Sequence, residues 1–271
     1  VGSTVEAVFV ARNKLKAQWR DAPGSKTDST AAMQAAVDHV RDAKTQGVIG
    51  RSVGDANAAF ASAAKVHSSE YMTDYVYHAQ MEPHTSTASV TSDGVEIWCG
   101  TQWPTRARDD AAKAAGVAPD KVKFHLMTMG GGFGRRAVND ELRQAVAVSK
   151  AVGAPVKLIW TREEDIRHDR YRPQAAIRFR AGLGADGMPV AWQARTAVGS
   201  IRRSLGWDPV TNGVESSAVE GLANTPYAFP NATVDCILKN THVPVMFWRS
   251  VGSSQNAFAV AERLLAECCG W

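Results

Sequence analysis

The chain has 271 residues, 45% apolar and 21% charged, with a net charge of +4. That balance excludes a disordered or fibrous chain and leaves room for one large domain or two small ones. The Lys and Arg residues are scattered, which excludes a nucleic-acid footprint, and no apolar run approaches the ~20 residues of a membrane span. The four cysteines, Cys99, Cys236, Cys268 and Cys269, form no C-x-x-C pair, so neither a zinc site nor a disulfide framework is supported. No signal peptide is visible, and the opening Val1-Gly2-Ser3 fits a sequence whose targeting segment was removed or never included.

In chain order, residues 4–13 read as weakly helical and 16–19 as a short strand stopped by Asp21-Ala22-Pro23-Gly24. Ser29 or Thr30 can cap a helix reaching about Ala43, with Met33, Ala36, Val37 and Val40 on one face. Residues 55–65 fit helix or loop, and 66–77 read as extended, with Tyr71, Tyr75 and Tyr77 among polar residues. Met81-Glu82-Pro83-His84 forms a polar knot. Asp93-Gly94 turns strand 85–90 onto strand 95–99, because Asp-Gly supplies the φ > 0 of a tight hairpin. The second strand runs into Gly100-Thr101-Gln102-Trp103-Pro104 and a helix stopped at Gly116. A strand at 122–127, a glycine loop, a helix at 139–152 stopped by Gly153-Ala154-Pro155, and a strand at 156–160 follow. Glu163-Glu164-Asp165 suits a helix N-terminus. A second hairpin joins 175–183 to 190–198 through Ala185-Asp186-Gly187, and a strand at 234–239 leads to a last loop and helix. The fold class is α+β or mixed α/β, with mixed sheets and packed helices.

The glycine loop is Gly130-Gly131-Gly132-Phe133-Gly134-Arg135-Arg136. Four glycines in five residues leave the backbone bare and its N–H donors open to a ligand. The arginines add forked donors suited to phosphate or carboxylate. A plain strand-to-helix turn is the commoner meaning of a glycine run, and the spacing is neither G-x-G-x-x-G nor a P-loop. Segments 100–104, 130–136 and 249–255 share one design, a strand ending in a polar, glycine-bearing turn before a helix, and strand ends are where α/β folds place ligands. Gln102, Arg135, Arg136, Arg249 and Gln255 together make a donor-rich cradle for an anionic, oxygen-rich ligand. Taken singly, Gln102 reads better as a helix cap, Arg249 as a salt-bridge partner and Gln255 as a surface residue; three parallel instances shift the balance toward a shared site. His78, His84, His125, His168 and His242 lack metal-ligand spacing, and no metal ligand is assigned. Glu82 with His84 fits a buried polar knot better than an acid–base pair, and is expected to lie away from the glycine loop. Ser253-Ser254 has no G-x-S-x-G elbow.

These loops resemble the molybdenum hydroxylases, which include xanthine dehydrogenase and aldehyde oxidase. The resemblance lies in Thr101-Gln102 after a hairpin strand, the Gly-Gly-Gly-Phe-Gly run, and Phe247-Trp248-Arg249-Ser250-Val251-Gly252-Ser253-Ser254-Gln255. Met81-Glu82-Pro83-His84, Trp160-Thr161-Arg162-Glu163-Glu164-Asp165 and Tyr171-Arg172-Pro173 look like one branch, the large (beta) subunit of isoquinoline 1-oxidoreductase and related membrane-associated aldehyde dehydrogenases. The likeness covers roughly residues 66–262.

The resemblance implies a molybdenum–molybdopterin cofactor and hydroxylation of an aldehyde or N-heteroaromatic carbon, with water as oxygen source. It implies iron–sulfur clusters on a partner small subunit, and a bacterial periplasmic or cytoplasmic location, membrane-associated if like the aldehyde dehydrogenase branch. It implies that Gln102 hydrogen-bonds an oxo ligand of the metal, that Gly131, Gly132, Phe133, Gly134 and Arg135 wrap the cofactor's metal end, that Arg249 lies beside it, that Val251 faces the substrate, and that Gln255 holds its loop. Residues 1–65 would precede the cofactor domain, and 66–271 would be the first molybdopterin-binding domain of a longer large subunit. Purine-oxidising relatives carry Gly-Gly-Lys-Glu after the Phe. Gly134-Arg135-Arg136-Ala137 lacks that acid, which argues against purines, and Val251 replaces a substrate-stacking Phe. The family's catalytic glutamate sits in a Gly-Glu motif with no counterpart here, so no catalytic residue is assigned. The alternatives are a folded remnant or assembly module without cofactor, and a phosphate-ligand enzyme using the glycine loop.

Overall fold

The computed structural model describes residues 1–22, 24–208 and 213–268, the last seven by backbone alone. Two mixed sheets carry it. The larger is built from β1 (Val48–Val53), β2 (Lys65–Thr73), β7 (Ala175–Leu183), β8 (Pro189–Val198) and β9 (Ala232–Leu238), in the order β1-β9-β8-β7-β2. The smaller is built from β3 (Thr85–Val90), β4 (Val95–Cys99), β5 (Val122–Leu126) and β6 (Val156–Ile159), in the order β5-β4-β3-β6. Both expected hairpins form, β3 with β4 and β7 with β8. Helix α4 (Pro104–Ala115) makes the crossover that lets β5 lie parallel to β4.

Sequence periodicity explains the packing. Ala107, Ala111 and Ala115 recur every fourth residue, so α4 presents one small, buried face to the sheet. Helix α5 (Asp140–Val152) adds Leu142, Ala145 and Val146, and together they enclose Ile97 and Ala88. Both helices end at a left-handed glycine, Gly116 and Gly153. Alternation in β7 sends Ala175, Ile177 and Phe179 to one core, where Trp192 stacks on Phe229 at 4.8 Å. Ala176 faces the other way, against α2 (Ser29–Arg41) and its Ala36, Val37 and Val40. Short helices α6 (Arg162–Arg167), α7 (Ile201–Ser204) and α8 (Ser216–Val219) fill connections, and α9 (Ser253–Cys268) closes the chain. Among the described residues no helix is long and apolar enough to cross a membrane. Cys99 and Cys236 are buried and free; the side chain of Cys268 and all of Cys269 lie outside the described residues.

Several expectations need correction. Residues 16–19 form no strand; they lack a pairing partner, and Trp19 is 92% exposed. β1 went unexpected because Gly50 interrupts its apolar pattern, and a bulge falls there, between Ile49 and Arg51. The region before residue 65 is woven into the larger sheet: β1 pairs with β9, α2 packs on β7 and β8, and α3 (Ala56–Ser62) packs on β8. Helix α1 (Val5–Lys14) buries none of its residues.

The two sheets meet through charge. Asp140, in the first turn of α5, pairs with Arg135 at 3.1 Å, with Arg170 at 3.1 Å and with Arg143. Burial opposes the ionised Asp140 carboxyl, but the Arg170 hydrogen bond and the charges of Arg135, Arg170 and Arg143 outweigh it and hold the carboxyl well below the usual range. A depressed native value adds stability that is complete above the unfolded value of about 4 and is lost as pH falls below it. Asp140→Asn should therefore cost ~1.5–3 kcal/mol at pH 7, with a difference that shrinks steadily below about pH 4. Urea denaturation across pH 7 to 2 measures this, and a gap constant with pH would contradict it.

Candidate functional site

Backbone strain marks the site. Among the described residues, four non-glycine residues hold positive φ: Ala79 (58°), Phe133 (53°), Arg249 (48°) and Val251 (53°). All four lie in segments that converge at the glycine loop. Such conformations persist only where the surroundings enforce them, and they cluster at functional sites.

The glycines let protein close on the loop. Gly130 N–H donates to Glu82 Oε2 at 2.8 Å, and Glu82 N–H donates to Gly130 O at 3.1 Å. A Cβ at Gly130 would fall 2.5 Å from the Glu82 Cβ, at Gly132 2.6 Å from Gln102 Oε1, and at Gly134 2.0 Å from the Phe247 carbonyl oxygen. Gly131 (φ 97°) and Gly134 (φ 105°) also need the left-handed region. Glu82 is thus in contact with the glycine loop, contrary to expectation; the return of the chain from β5 brings Gly130 beside it.

Gln102 is pinned on one side. Its backbone N–H donates to Arg136 O at 2.9 Å, and its Oε1 accepts from Gly134 N–H at 2.9 Å. Because the oxygen must be the acceptor of that N–H, the exposed amide's Nε2 is left as a donor with no partner among the described residues. The backbone N–H groups of Gly131, Gly132 and Phe133 likewise bond to nothing else described. Arg249 N–H donates to Phe133 O at 2.8 Å, and its guanidinium lies 4.2 Å from the Phe133 ring centroid and 4.8 Å from that of Trp248. No carboxylate pairs with Arg249 among the described residues, so its charge is held by two rings and left uncompensated.

Arg135 and Arg136 do not face the cradle as the sequence pattern suggests. They are 0% and 1% exposed. Arg135 pairs with Asp140 and, at 3.0 Å, with Asp169; Arg136 pairs with Glu82 at 3.0 Å and donates to Gly100 O. Both are consumed beneath the loop. Gln255 is not a surface residue: it is 2% exposed, its backbone N–H donates to Gly252 O, and its Oε1 is buried without a partner. Val251 is half-buried next to it.

The neighbouring titratable groups are structural in their bonding. His84 Nδ1 lies 3.0 Å from Glu141, and His78 is bonded to Asp169. Burial, then the charge of Glu141, pushes the Cys99 thiol up to about 12, and burial, then the Asp165 hydrogen bond, pushes Tyr77 up to about 12. No cluster of His, Cys, Asp or Glu among the described residues could hold a metal ion. Among the described residues the cradle is a donor surface made of one free cation, one amide and three backbone N–H groups. It can bind an anionic, oxygen-rich group, but its loops supply no activated nucleophile. Sequence reading quoted Trp248 within its motif but missed Ala79 and Asp169, neither of which belongs to a glycine turn; the nearest signal to Ala79 was the polar run before His84.

The chain matches the molybdopterin cofactor-binding domain family over residues 39–269. It is 31% identical to the isoquinoline 1-oxidoreductase subunit beta of Brevundimonas diminuta, covering 98% of this chain and 36% of that one. It is 32% identical to a membrane-bound aldehyde dehydrogenase (pyrroloquinoline-quinone) of Gluconacetobacter polyoxogenes, covering 73% of this chain and 26% of the relative. The crystal structure of quinoline 2-oxidoreductase from Pseudomonas putida 86 superposes with a TM-score of 0.69 at 22% identity, covering 88% of this chain and 31% of that one. The chain thus spans about a third or less of the length of these relatives.

The reason for each glycine predicts unequal costs. At Gly132 the new methyl meets the end of a flexible side chain, so Ala should displace Gln102 and cost under about 1 kcal/mol. At Gly134 it meets backbone at a positive φ, so Ala should cost more than about 2 kcal/mol. Denaturant midpoints of the two variants test the order, and equal losses would refute it.

Proposed function

The chain belongs to the molybdopterin cofactor-binding domain family, and on that premise we propose that its cradle holds the metal end of a molybdenum–molybdopterin cofactor. The enzyme would hydroxylate an aldehyde or N-heteroaromatic carbon, and this chain would form part of its large subunit. The observation that carries the reading is Arg249, an exposed guanidinium set beside three backbone N–H groups and the Nε2 of Gln102, none of them with a carboxylate or other hydrogen-bond partner among the described residues. That donor set fits an anionic, oxygen-rich group. When bound, the cofactor supplies the two-electron oxidation, with water as the source of oxygen.

The roles then divide by chemistry. Gln102 Nε2 and the N–H groups of Gly131, Gly132 and Phe133 donate to the metal end, while Arg249 offsets its negative charge. Val251 faces the substrate, and Gln255 holds the loop from within. Arg135 keeps a supporting role only. Ala137, where purine-oxidising relatives carry a glutamate after Gly134-Arg135-Arg136, argues against purines as substrates. Iron–sulfur clusters on a small subunit would carry the electrons away, and the rest of the large subunit would close the other side of the cofactor.

The reaction also needs a base to accept a proton. The three loops contain none, and Glu82 is committed to Gly130 and Arg136. The 271-residue chain by itself should therefore show no aldehyde- or N-heteroaromatic-dependent dye reduction, and should lose molybdopterin on gel filtration. Turnover with stoichiometric molybdenum would refute this. In the complete large subunit, molybdenum and pterin should be present in equal amounts; their absence would favour the assembly-module reading. Gln102→Ala there should lower turnover by ~2–4 kcal/mol of barrier while leaving molybdenum content nearly intact. Unchanged turnover would reduce Gln102 to a partner of Gly134.

A further inference from the structure

Arg249 sits on an irregular loop. Phe247, Trp248 and Arg249 belong to no helix or strand, and Arg249 and Val251 both keep positive φ. Strain of that kind relaxes unless the neighbours prevent it. Beside the Arg249 N–H bond to Phe133 O and the Gly252 N–H bond to Glu220 Oε2 at 2.9 Å, one restraint is a buried ring. His78 is fully buried. Its backbone N–H donates to Asp169 Oδ2 at 2.7 Å, its ring Nδ1 donates to the same carboxylate at 3.0 Å, and its Nε2 donates to the Phe247 carbonyl oxygen at 2.8 Å. Asp169, 1% exposed, also accepts from Arg170 N–H at 2.8 Å and pairs with Arg135 Nε at 3.0 Å. Only donors surround that carboxylate, and a carbonyl oxygen can only accept. Both nitrogens of His78 therefore face acceptors, and Nε2 must donate to the carbonyl.

We propose that His78 is a positioning residue: it clamps the 247–251 loop, and with it Arg249, onto the glycine loop. The clamp closes on itself. Arg135 of the glycine loop holds Asp169, Asp169 holds His78, and His78 holds Phe247, whose carbonyl occupies the space a side chain at Gly134 would take. Trp248 Nε1 donates to Tyr77 O at 3.2 Å, so residues 77 and 78 grip two successive residues of the loop. Hydrogen bonds shielded from water are the stronger kind. The meaning of the clamp for cofactor binding rests on the reading given above; the clamp itself does not.

The test uses the 271-residue chain without cofactor. Arg249 is exposed, so trypsin cleavage after it, followed by mass spectrometry, reports how firmly the loop is held. In His78→Asn the amide nitrogen stands near the place of Nδ1, keeping Asp169 and losing Phe247; cleavage should accelerate about tenfold or more. In His78→Gln the amide nitrogen reaches the place of Nε2, and cleavage should return to within about threefold of the parent rate. Equal acceleration in both variants would mean that the ring only fills space, and no acceleration in either would mean that other contacts hold the loop; both results overturn the proposal. Should the Asn variant fail to fold by circular dichroism, the 15N spectrum of the parent decides. A proton on Nε2 of His78, coupled to the Phe247 carbonyl, supports the clamp, and a bare Nε2 refutes it. Failure of the cofactor reading would appear instead as a complete large subunit free of molybdenum and pterin while the loop stays protected, so the two failures are separable.

Discussion

Two guanidinium groups with almost no contact with water sit beneath the glycine loop. Arg135 and Arg136 can be buried there only because Asp140, Asp169 and Glu82 come to meet them. Those three carboxylates belong to three separate places: the start of α5, the stretch after α6, and the knot before β3. A buried cation that loses its partner costs about 3–5 kcal/mol. The pairings therefore bind the strand-end loops into one body with a defined shape, and the smaller sheet is held to the segments that lead into the larger one.

On that foundation the glycine run works as a junction. Each bare position admits a different segment: Glu82 at Gly130, Gln102 at Gly132, and the Phe247 carbonyl at Gly134. The protein uses three of the glycines for its own contacts. What remains for a ligand is the outward rim of N–H groups from Gly131 to Phe133. Close packing below and free donors above are two results of the same absence of side chains.

The electrostatic asymmetry follows. Every arginine below the loop is neutralised, whereas Arg249 above it is flanked by Phe133 and Trp248. Aromatic faces hold a guanidinium in place without cancelling its charge. The positive φ of Phe133, Arg249 and Val251 bends the chain enough to bring ring and cation together. Fixed donors and a fixed charge on a rim are what an anionic cofactor needs, and they cost nothing further when it binds because the fold has already arranged them.

Much of this was legible in the sequence. Asp93-Gly94 and Asp186-Gly187 specify their hairpins because turn chemistry is local. The four-residue alanine spacing of α4 and the alternation of β7 are legible because helix and strand periods repeat within a few residues. The motifs around Gln102, Phe133 and Arg249 point to the family for the same reason, since each lies in one short stretch. What the sequence by itself could not decide is which charges are spent inside. Arg135, Arg136 and Arg249 look alike along the chain, and their difference lies in Asp169, Asp140 and Glu82, which stand 5 to 54 positions away from the arginines they neutralise. The sequence likewise hid β1, whose only strand partner among the described residues is β9, nearly two hundred residues later. Local conformation is written in neighbouring residues, but the neutralisation of a buried charge and the pairing of an edge strand depend on distant parts of the chain meeting. Only the tertiary structure decided those.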